Sequence, residues 1–129
     1  EATNVDAIFV TKGTVDLFNP KVVRASMGSV FRKPVFYIDS LESMLSDLEK
    51  AKFQILLTTP HTKKDFYEID YTIKTAIFIG NEGQGLKKNL LELYKNIKIP
   101  MLGEVESLNT SIATSIILYE SLRQKLLSK

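Results

Sequence analysis

The sequence predicts an α/β fold: a mostly parallel sheet flanked by helices, in one domain that spans residues 1–129. Short apolar runs alternate with stretches of helical period along nearly the whole chain. The runs are continuously apolar, which is typical of strands that a parallel sheet buries on both faces. A length of 129 residues suits a single compact core.

Five short apolar segments are predicted to be strands. They are residues 7–10, 35–38, 53–58, 76–79 and 97–99. Gly13 follows the first strand and Pro100 stops the last one. The stretch between the third and fourth strands, residues 60–70, is predicted to be a polar connection.

Four helices are predicted between and after these strands. Asn19 as N-cap and Pro20 at the first helical position predict a helix start, and Gly28 predicts its end. A second helix is predicted to be capped by Asp39, and a third follows the glycine-rich residues 80–85. The last helix carries apolar residues at helical spacing, which predict its buried face: Leu108, Ile112, Ile116, Tyr119 and Leu126.

Composition excludes several kinds of site. The chain has no cysteine, so disulfides, thiolate metal ligands and cysteine nucleophiles are absent, as suits a reducing compartment such as the cytoplasm. His61 is the only histidine, which disfavours a multi-histidine zinc centre and a Ser-His-Asp triad. No apolar run approaches the ~20 residues of a membrane-spanning helix. We therefore expect neither a metal nor a membrane among its partners.

The net charge of +2 is too small to identify a nucleic-acid partner, but its distribution is uneven. Lys21, Arg24, Arg32 and Lys33 occur within thirteen residues that contain no acidic residue. Solvated surface is the simpler explanation of such a cluster, and contact with nucleic-acid phosphates is the alternative.

Glycines at 80, 83 and 85 follow a predicted strand and open a helix. Ligands bind at this position in parallel sheets, although a tight turn would also require glycine. The spacing matches neither the dinucleotide-binding fingerprint nor a Walker A loop. Glu82 would repel a phosphate and favours a cationic or hydroxyl-bearing ligand. A second candidate region, residues 99–109, ends in Ser107 and Asn109, both of which suit a helix cap.

Several segments resemble the SpoU (TrmH-like) family of RNA 2′-O-ribose methyltransferases, in the SPOUT superfamily, and they follow the family's order. Residues 79–86 resemble its second signature motif. Residues 99–101 and 106–113 are similar to its third motif, and residues 12–16 and 19–29 to its first half. The resemblance covers essentially the whole chain. It implies a C-terminal trefoil knot, which periodicity alone does not predict, and a homodimer whose active site draws on both subunits.

The resemblance also implies S-adenosylmethionine as cofactor and RNA as partner, with ribosomal RNA favoured over transfer RNA. Backbone groups of three loops would bind the cofactor, at Thr58, Thr59, Gly80, Asn81, Gly83, Ile99, Met101 and Leu108. Glu82 and Asn109 would organise the catalytic site, and Ser107 would assist near the methyl donor. The RNA-binding residues would be Lys21, Arg24, Arg32 and Lys33.

One departure from the family pattern concerns its first motif, Asn-x-Gly-x-x-x-Arg, whose arginine activates the ribose hydroxyl. None of the three arginines here lies in that context. We expect that motif and one strand to precede Glu1, so the chain would be N-terminally incomplete and would bind cofactor without efficient methyl transfer. The alternative is a non-catalytic RNA-binding or dimerisation module derived from this fold. A dinucleotide-binding oxidoreductase is disfavoured by the glycine spacing.

Overall fold

The computed structural model describes residues 1–80 and 85–128. The chain divides into two compact units, Glu1–Asp47 and Leu48–Lys129, here called the N-terminal and C-terminal units. Every strand pair within the described residues is parallel. Helices separate successive strands along the chain, except between the third and fourth strands, where a 3₁₀ turn takes that place. The predicted α/β class with parallel strands is therefore confirmed.

The five strands lie close to the predicted segments. They are Ile8–Val10 (β1), Val35–Tyr37 (β2), Gln54–Thr58 (β3), Thr75–Phe78 (β4) and Lys95–Ile97 (β5). The helices are Pro20–Ala25 (α1), Leu41–Lys50 (α2), Lys88–Leu93 (α3) and Thr110–Leu127 (α4). The main difference is β5, which begins and ends two residues before the predicted segment.

The N-terminal unit holds a two-stranded parallel sheet and α1. Asn19 caps α1 as predicted, because its side chain accepts a hydrogen bond from the Lys21 amide at 2.9 Å. The helix ends at Ala25, earlier than Gly28, since Met27 at φ 48° and Gly28 at φ 81° have left the right-handed helical region. Gly28 therefore serves the turn after the helix and not its last residue.

Helix α2 crosses the boundary between the two units. Its predicted cap is wrong by one residue. The Ser43 amide donates to the Ser40 hydroxyl at 3.1 Å, so Ser40 caps the helix in place of Asp39. Leu45 is the buried residue of this helix.

The C-terminal unit is built on a three-stranded parallel sheet in the order β4-β3-β5. The central strand β3 is the most buried, and the side chains of Leu56 and Leu57 are completely enclosed. The core around Leu56 also contains Ile69, Tyr71, Ile97 and Ile117. Because β3 pairs in parallel with both neighbours, the carboxyl ends of all three strands lie together at the same end of the sheet.

The connection at residues 60–70, which was predicted to be polar, contributes a buried residue to the core. It contains a short 3₁₀ turn, Phe66–Glu68, and leads to the buried residues Ile69 and Tyr71. The Tyr71 hydroxyl donates to the Phe66 carbonyl at 2.9 Å, and burial raises the pKa of that hydroxyl well above its ordinary value. This connection is part of the core.

Three of the five residues predicted for the buried face of the last helix are exposed in the single chain, whereas Leu108 and Ile116 are half-buried. Ile112, Tyr119 and Leu126 are all more than half exposed, and Ile117, on another side of α4, packs into the core. Helix α4 is apolar on more than one side, so periodicity alone did not identify which side this chain buries. No helix within residues 1–80 and 85–128 is long and apolar enough to cross a membrane.

Candidate functional site

The carboxyl ends of β3, β4 and β5 form the centre of the candidate site. Thr58 ends β3, and its hydroxyl donates to the carbonyl of Phe78, the last residue of β4, at 3.0 Å. The amide of Thr59 donates to the carbonyl of Ile97, the last residue of β5, also at 3.0 Å. The two predicted threonines therefore join all three strand ends. Ligands of open parallel sheets bind outside this edge.

Gly80 lies two residues beyond β4, and its position explains why it is glycine. A Cβ atom added there would lie 2.6 Å from the carbonyl carbon of Gly85 and 2.8 Å from the amide nitrogen of Leu86. Gly80 and Gly85, the described residues on either side of positions 81–84, are therefore in contact. Gly85 itself has φ 62°, which favours glycine. The predicted site residues Asn81, Glu82 and Gly83 lie outside the described residues.

The third loop leaves β5 beside a segment from the 60–70 connection. The Phe66 amide donates to the Lys98 carbonyl at 2.8 Å, and the Lys98 amide donates to the Lys64 carbonyl at 3.0 Å. This parallel bridge extends the sheet by one position just before Ile99. Ile99 is half-buried against the core. The predicted Ile99 position is therefore held by backbone pairing on one side and by apolar packing on the other.

A polar group missed by the sequence analysis lies at this bridge. The Tyr67 hydroxyl donates to Asp65 Oδ2 at 2.7 Å, and this bond raises the pKa of the tyrosine. Asp65 Oδ1 is buried without a hydrogen bond within the described residues, and Lys98 Nζ lies 4.0 Å from it. Only the Lys64–Asp65 charge alternation marks this segment in the sequence, and that signal is too common to identify a site.

The predicted residues of the last loop surround the start of α4. Asn109 caps this helix, because its Oδ1 accepts from the Ser111 amide at 3.0 Å and from the Ser111 hydroxyl at 2.5 Å. Leu108 and Met101 are half-buried, whereas Ser107 is exposed. The capping role anticipated for Asn109 is confirmed, and a catalytic role stays a prediction.

Arg32, predicted to bind RNA, is engaged within the N-terminal unit. Its Nε and Nη2 donate to the two carboxylate oxygens of Glu1 at 2.6 and 2.7 Å, and Nη2 also donates to the Met27 carbonyl. The Ser29 hydroxyl donates to the same carboxylate at 2.6 Å. These hydrogen bonds, with those from Arg32 the largest cause, lower the pKa of Glu1 to about 2. The Arg32 charge is thus balanced locally.

The other three predicted RNA-binding residues differ in their surroundings. Lys33 donates to the Asn4 side chain at 2.8 Å. Lys21 and Arg24 lie exposed on α1, and no ion pair within residues 1–80 and 85–128 involves either of them. All four belong to the N-terminal unit, whereas all predicted cofactor residues belong to the C-terminal unit. Of the four residues, Lys21 and Arg24 are therefore the two that are best placed to bind a phosphate.

The chemistry available at the three strand ends is that of small-molecule binding by backbone and apolar groups. Threonine hydroxyls and loop backbones supply hydrogen-bonding groups, and half-buried Ile99 and Leu108 supply apolar contacts. Within the described residues no group of three histidine, aspartate or glutamate side chains could hold a metal ion. The described part of the site therefore offers the apolar and hydrogen-bonding groups that are typical of a small-molecule site.

Known proteins are similar to this chain over nearly its whole length. The family model described as the SpoU rRNA methylase family matches residues 1–119. An uncharacterized tRNA/rRNA methyltransferase of Synechocystis sp. is 38% identical over 125 residues, which are 96% of this chain and 46% of that protein.

Two solved structures agree with this match. The SpoU methyltransferase AviRb from Streptomyces viridochromogenes, solved in complex with AdoMet, superposes with a TM-score of 0.89 at 31% identity and covers 98% of this chain. A structure described as an RNA 2′-O ribose methyltransferase has a TM-score of 0.86 at 35% identity over 97% of the chain. The chain spans about half the length of each of these relatives, from 46% to 52%.

Proposed function

Because the chain belongs to the SpoU rRNA methylase family, we propose that it uses S-adenosylmethionine to methylate ribose 2′-hydroxyls of RNA. The observation that carries this proposal is the joining of three strand ends by Thr58 and Thr59 at the edge where parallel sheets bind ligands. The relative solved with AdoMet supports the cofactor, and the RNA 2′-O ribose methyltransferase supports the position methylated.

The proposed cofactor site uses the three loops that follow these strands. When bound, S-adenosylmethionine supplies an electrophilic methyl group on a sulfonium. Backbone groups near Thr58, Gly80 and Ile99 would bind the adenosine, and half-buried Leu108 would contact its apolar face. The close approach of Gly80 to Gly85 restrains these two residues before the ligand arrives, which reduces the entropy that they lose on binding.

The methyl acceptor, a ribose hydroxyl, is a weak nucleophile that requires positioning and help in losing its proton. We assign positioning to the start of α4, where Asn109 and Ser107 lie, together with Glu82. Since Asn109 Oδ1 already caps the helix, two substitutions separate its roles. Asn109→Asp keeps a capping oxygen, and Asn109→Ala removes it.

The proposal also includes a homodimer, a cytoplasmic location and the family's C-terminal trefoil knot. Support for the dimer comes from α4, whose exposed Ile112, Tyr119 and Leu126 are seven residues apart and form an apolar stripe.

Ribosomal RNA is favoured as substrate because the family description names it, although the Synechocystis relative is described for both tRNA and rRNA.

The first test is calorimetric titration of the chain with S-adenosylmethionine and, as the control ligand, NAD. We expect S-adenosylmethionine to bind and NAD not to bind. Binding of NAD without binding of S-adenosylmethionine would contradict the proposal and favour the oxidoreductase alternative. Binding of the cofactor with little methyl transfer is expected of a chain without the Asn-x-Gly-x-x-x-Arg arginine. The non-catalytic module is favoured only if protein that carries this segment also transfers no methyl group.

The second test identifies the methylated atom. Labelled methyl groups are transferred to separate pools of rRNA and tRNA by protein that includes an Asn-x-Gly-x-x-x-Arg segment upstream of these residues. The RNA is then hydrolysed in alkali. A 2′-O-methylated linkage lacks the hydroxyl needed for cleavage, so its label stays in dinucleotides, whereas base methylation leaves the label in mononucleotides. Asn109→Asp should lower transfer more than cofactor affinity if Asn109 organises the site. Wild-type transfer by Asn109→Asp would limit this residue to its capping role.

A further inference from the structure

Two phenylalanines of the N-terminal unit form an exposed aromatic pair. The rings of Phe18 and Phe31 are 6.2 Å apart between centroids at an angle of 32°, and the residues are 62% and 67% exposed. The backbone holds both in place. The Phe18 amide donates to Asp16 Oδ1 at 3.0 Å, and the Phe31 amide donates to the Gly28 carbonyl at 3.1 Å. Rigid aromatic rings left in water are typical of binding surfaces.

Asp16 precedes the pair, and the charged residues that follow it along this segment are all positive. Residues 17–38 contain no aspartate or glutamate. The stretch carries four cations, of which Arg32 is balanced by Glu1. Lys21 and Arg24 follow Phe18 on α1 and have no ion pair within the described part of the chain. The exposed rings therefore share a short segment with two unbalanced positive charges.

Exposed rings beside unbalanced cations suit single-stranded nucleic acid. Every base has a face that stacks on an aromatic ring, and lysine and arginine pair with the phosphates between bases. A protein partner is less well matched, because Asp16 is the only acidic residue within residues 7–38 that could pair with a partner's cations, and its Oδ1 already accepts from the Phe18 amide.

We propose that Phe18 and Phe31 form a stacking platform for an unpaired base of the RNA, with Lys21 and Arg24 holding the adjoining phosphates. The proposal rests on the RNA substrate of the proposed function and adds the class of RNA recognised, a single-stranded or looped segment. Paired RNA does not bind this way, because its bases are stacked within the helix.

The experiment compares the affinity of the full chain for a single-stranded oligoribonucleotide of about 15 nucleotides and for its duplex. The test variant carries Phe18→Leu and Phe31→Leu, which keep apolar bulk and remove the aromatic faces. The matched control carries Phe9→Leu and Phe36→Leu, because those rings also stack, at 5.5 Å, and are also half exposed, but lie on the β1–β2 sheet. Circular dichroism verifies that each variant stays folded.

We expect the test variant to lose about five- to a hundredfold in affinity for the single strand, and the control variant to lose little. The salt dependence should separate stacking from charge. The aromatic substitutions should leave the slope of log affinity against log salt unchanged, whereas Lys21→Ala and Arg24→Ala should each reduce it by about 0.7.

Unchanged affinity in a folded test variant would overturn the proposal and leave the aromatic pair to a protein partner. An equal loss for single strand and duplex would overturn it too, since stacking requires an unpaired base. Failure of the proposed function is visible separately, because the titration with S-adenosylmethionine addresses loops of the C-terminal unit.

Discussion

Gln124 connects α4 to the segment between β3 and β4 through two hydrogen bonds and makes a third within α4. Its Oε1 accepts from the Tyr71 amide at 2.9 Å, and its Nε2 donates to the Ile69 carbonyl at 2.9 Å and to Glu120 at 2.7 Å. Ile69 and Tyr71 are buried, so their backbone groups depend on this side chain. Gln124→Leu keeps most of the volume and removes the polar contacts.

The expected cost follows from the two backbone groups that lose their partner. A buried donor or acceptor left without a hydrogen bond costs about 1–3 kcal/mol. Gln124 is itself half-buried, and water can reach part of the gap, so the lower half of the range applies. We expect Gln124→Leu to lower the free energy of unfolding by about 2–4 kcal/mol. Lys125→Leu, exposed in the same turn, should change it by less than about 0.5 kcal/mol.

Amide hydrogen exchange measured by NMR is the most direct assay, because the chain consists of two units and need not unfold in one step. In Gln124→Leu the Tyr71 amide should exchange much faster, while amides of β1 in the N-terminal unit keep their protection. A urea titration followed by tyrosine fluorescence gives the overall change. Unchanged exchange at Tyr71 would refute the assigned role of Gln124.

Two further predictions concern the N-terminal carboxylate and the glycine loop. The Glu1–Arg32 pair should be stabilising above about pH 4.5 and be lost as the pH falls through about 2, because the folded-state pKa of Glu1 lies below its ordinary value. Titration of the Glu1 carboxyl by carbon NMR should give a midpoint near 2; an ordinary midpoint contradicts the pairing. Gly80→Ala should weaken S-adenosylmethionine binding about tenfold, since its Cβ overlaps Gly85, a clash that typically costs about 1–3 kcal/mol. Gly103→Ala, which meets no neighbour, is the control, and equal affinities of the two variants refute the loop-closure argument.

Local chemistry explains why much of the fold was predictable. Asn19 and Pro20 specify a helix start whatever surrounds them, and the apolar run around Leu56 has no stable place except a buried strand. The same holds for Gly80, which was identified as special from its position after a strand. Its reason differs from the expected one, because the backbone that it must admit includes that of Gly85, within its own loop.

Contacts between distant segments were not predictable in this way. Nothing near Gln124 in the sequence indicates that it bonds to Tyr71, 53 residues away. Likewise, nothing near Arg32 in the sequence indicates that it pairs with Glu1, 31 residues before it. Charge patterns report what a side chain could bind, and only the fold decides which partner is within reach.

Helix α4 is a second case in which the sequence did not identify what a side chain contacts. Its spacing predicted a buried stripe at Ile112, Tyr119 and Leu126, and this single chain exposes all three while burying Ile117. A helix that is apolar on several sides is buried on several sides in its finished assembly. The side of α4 that carries Ile117 packs into the core. The exposed stripe of Ile112, Tyr119 and Leu126 is explained if it packs on a second copy of the chain, as the proposed dimer requires. Tyr119→Lys should then shift the oligomeric state measured by ultracentrifugation without loosening the core around Ile117.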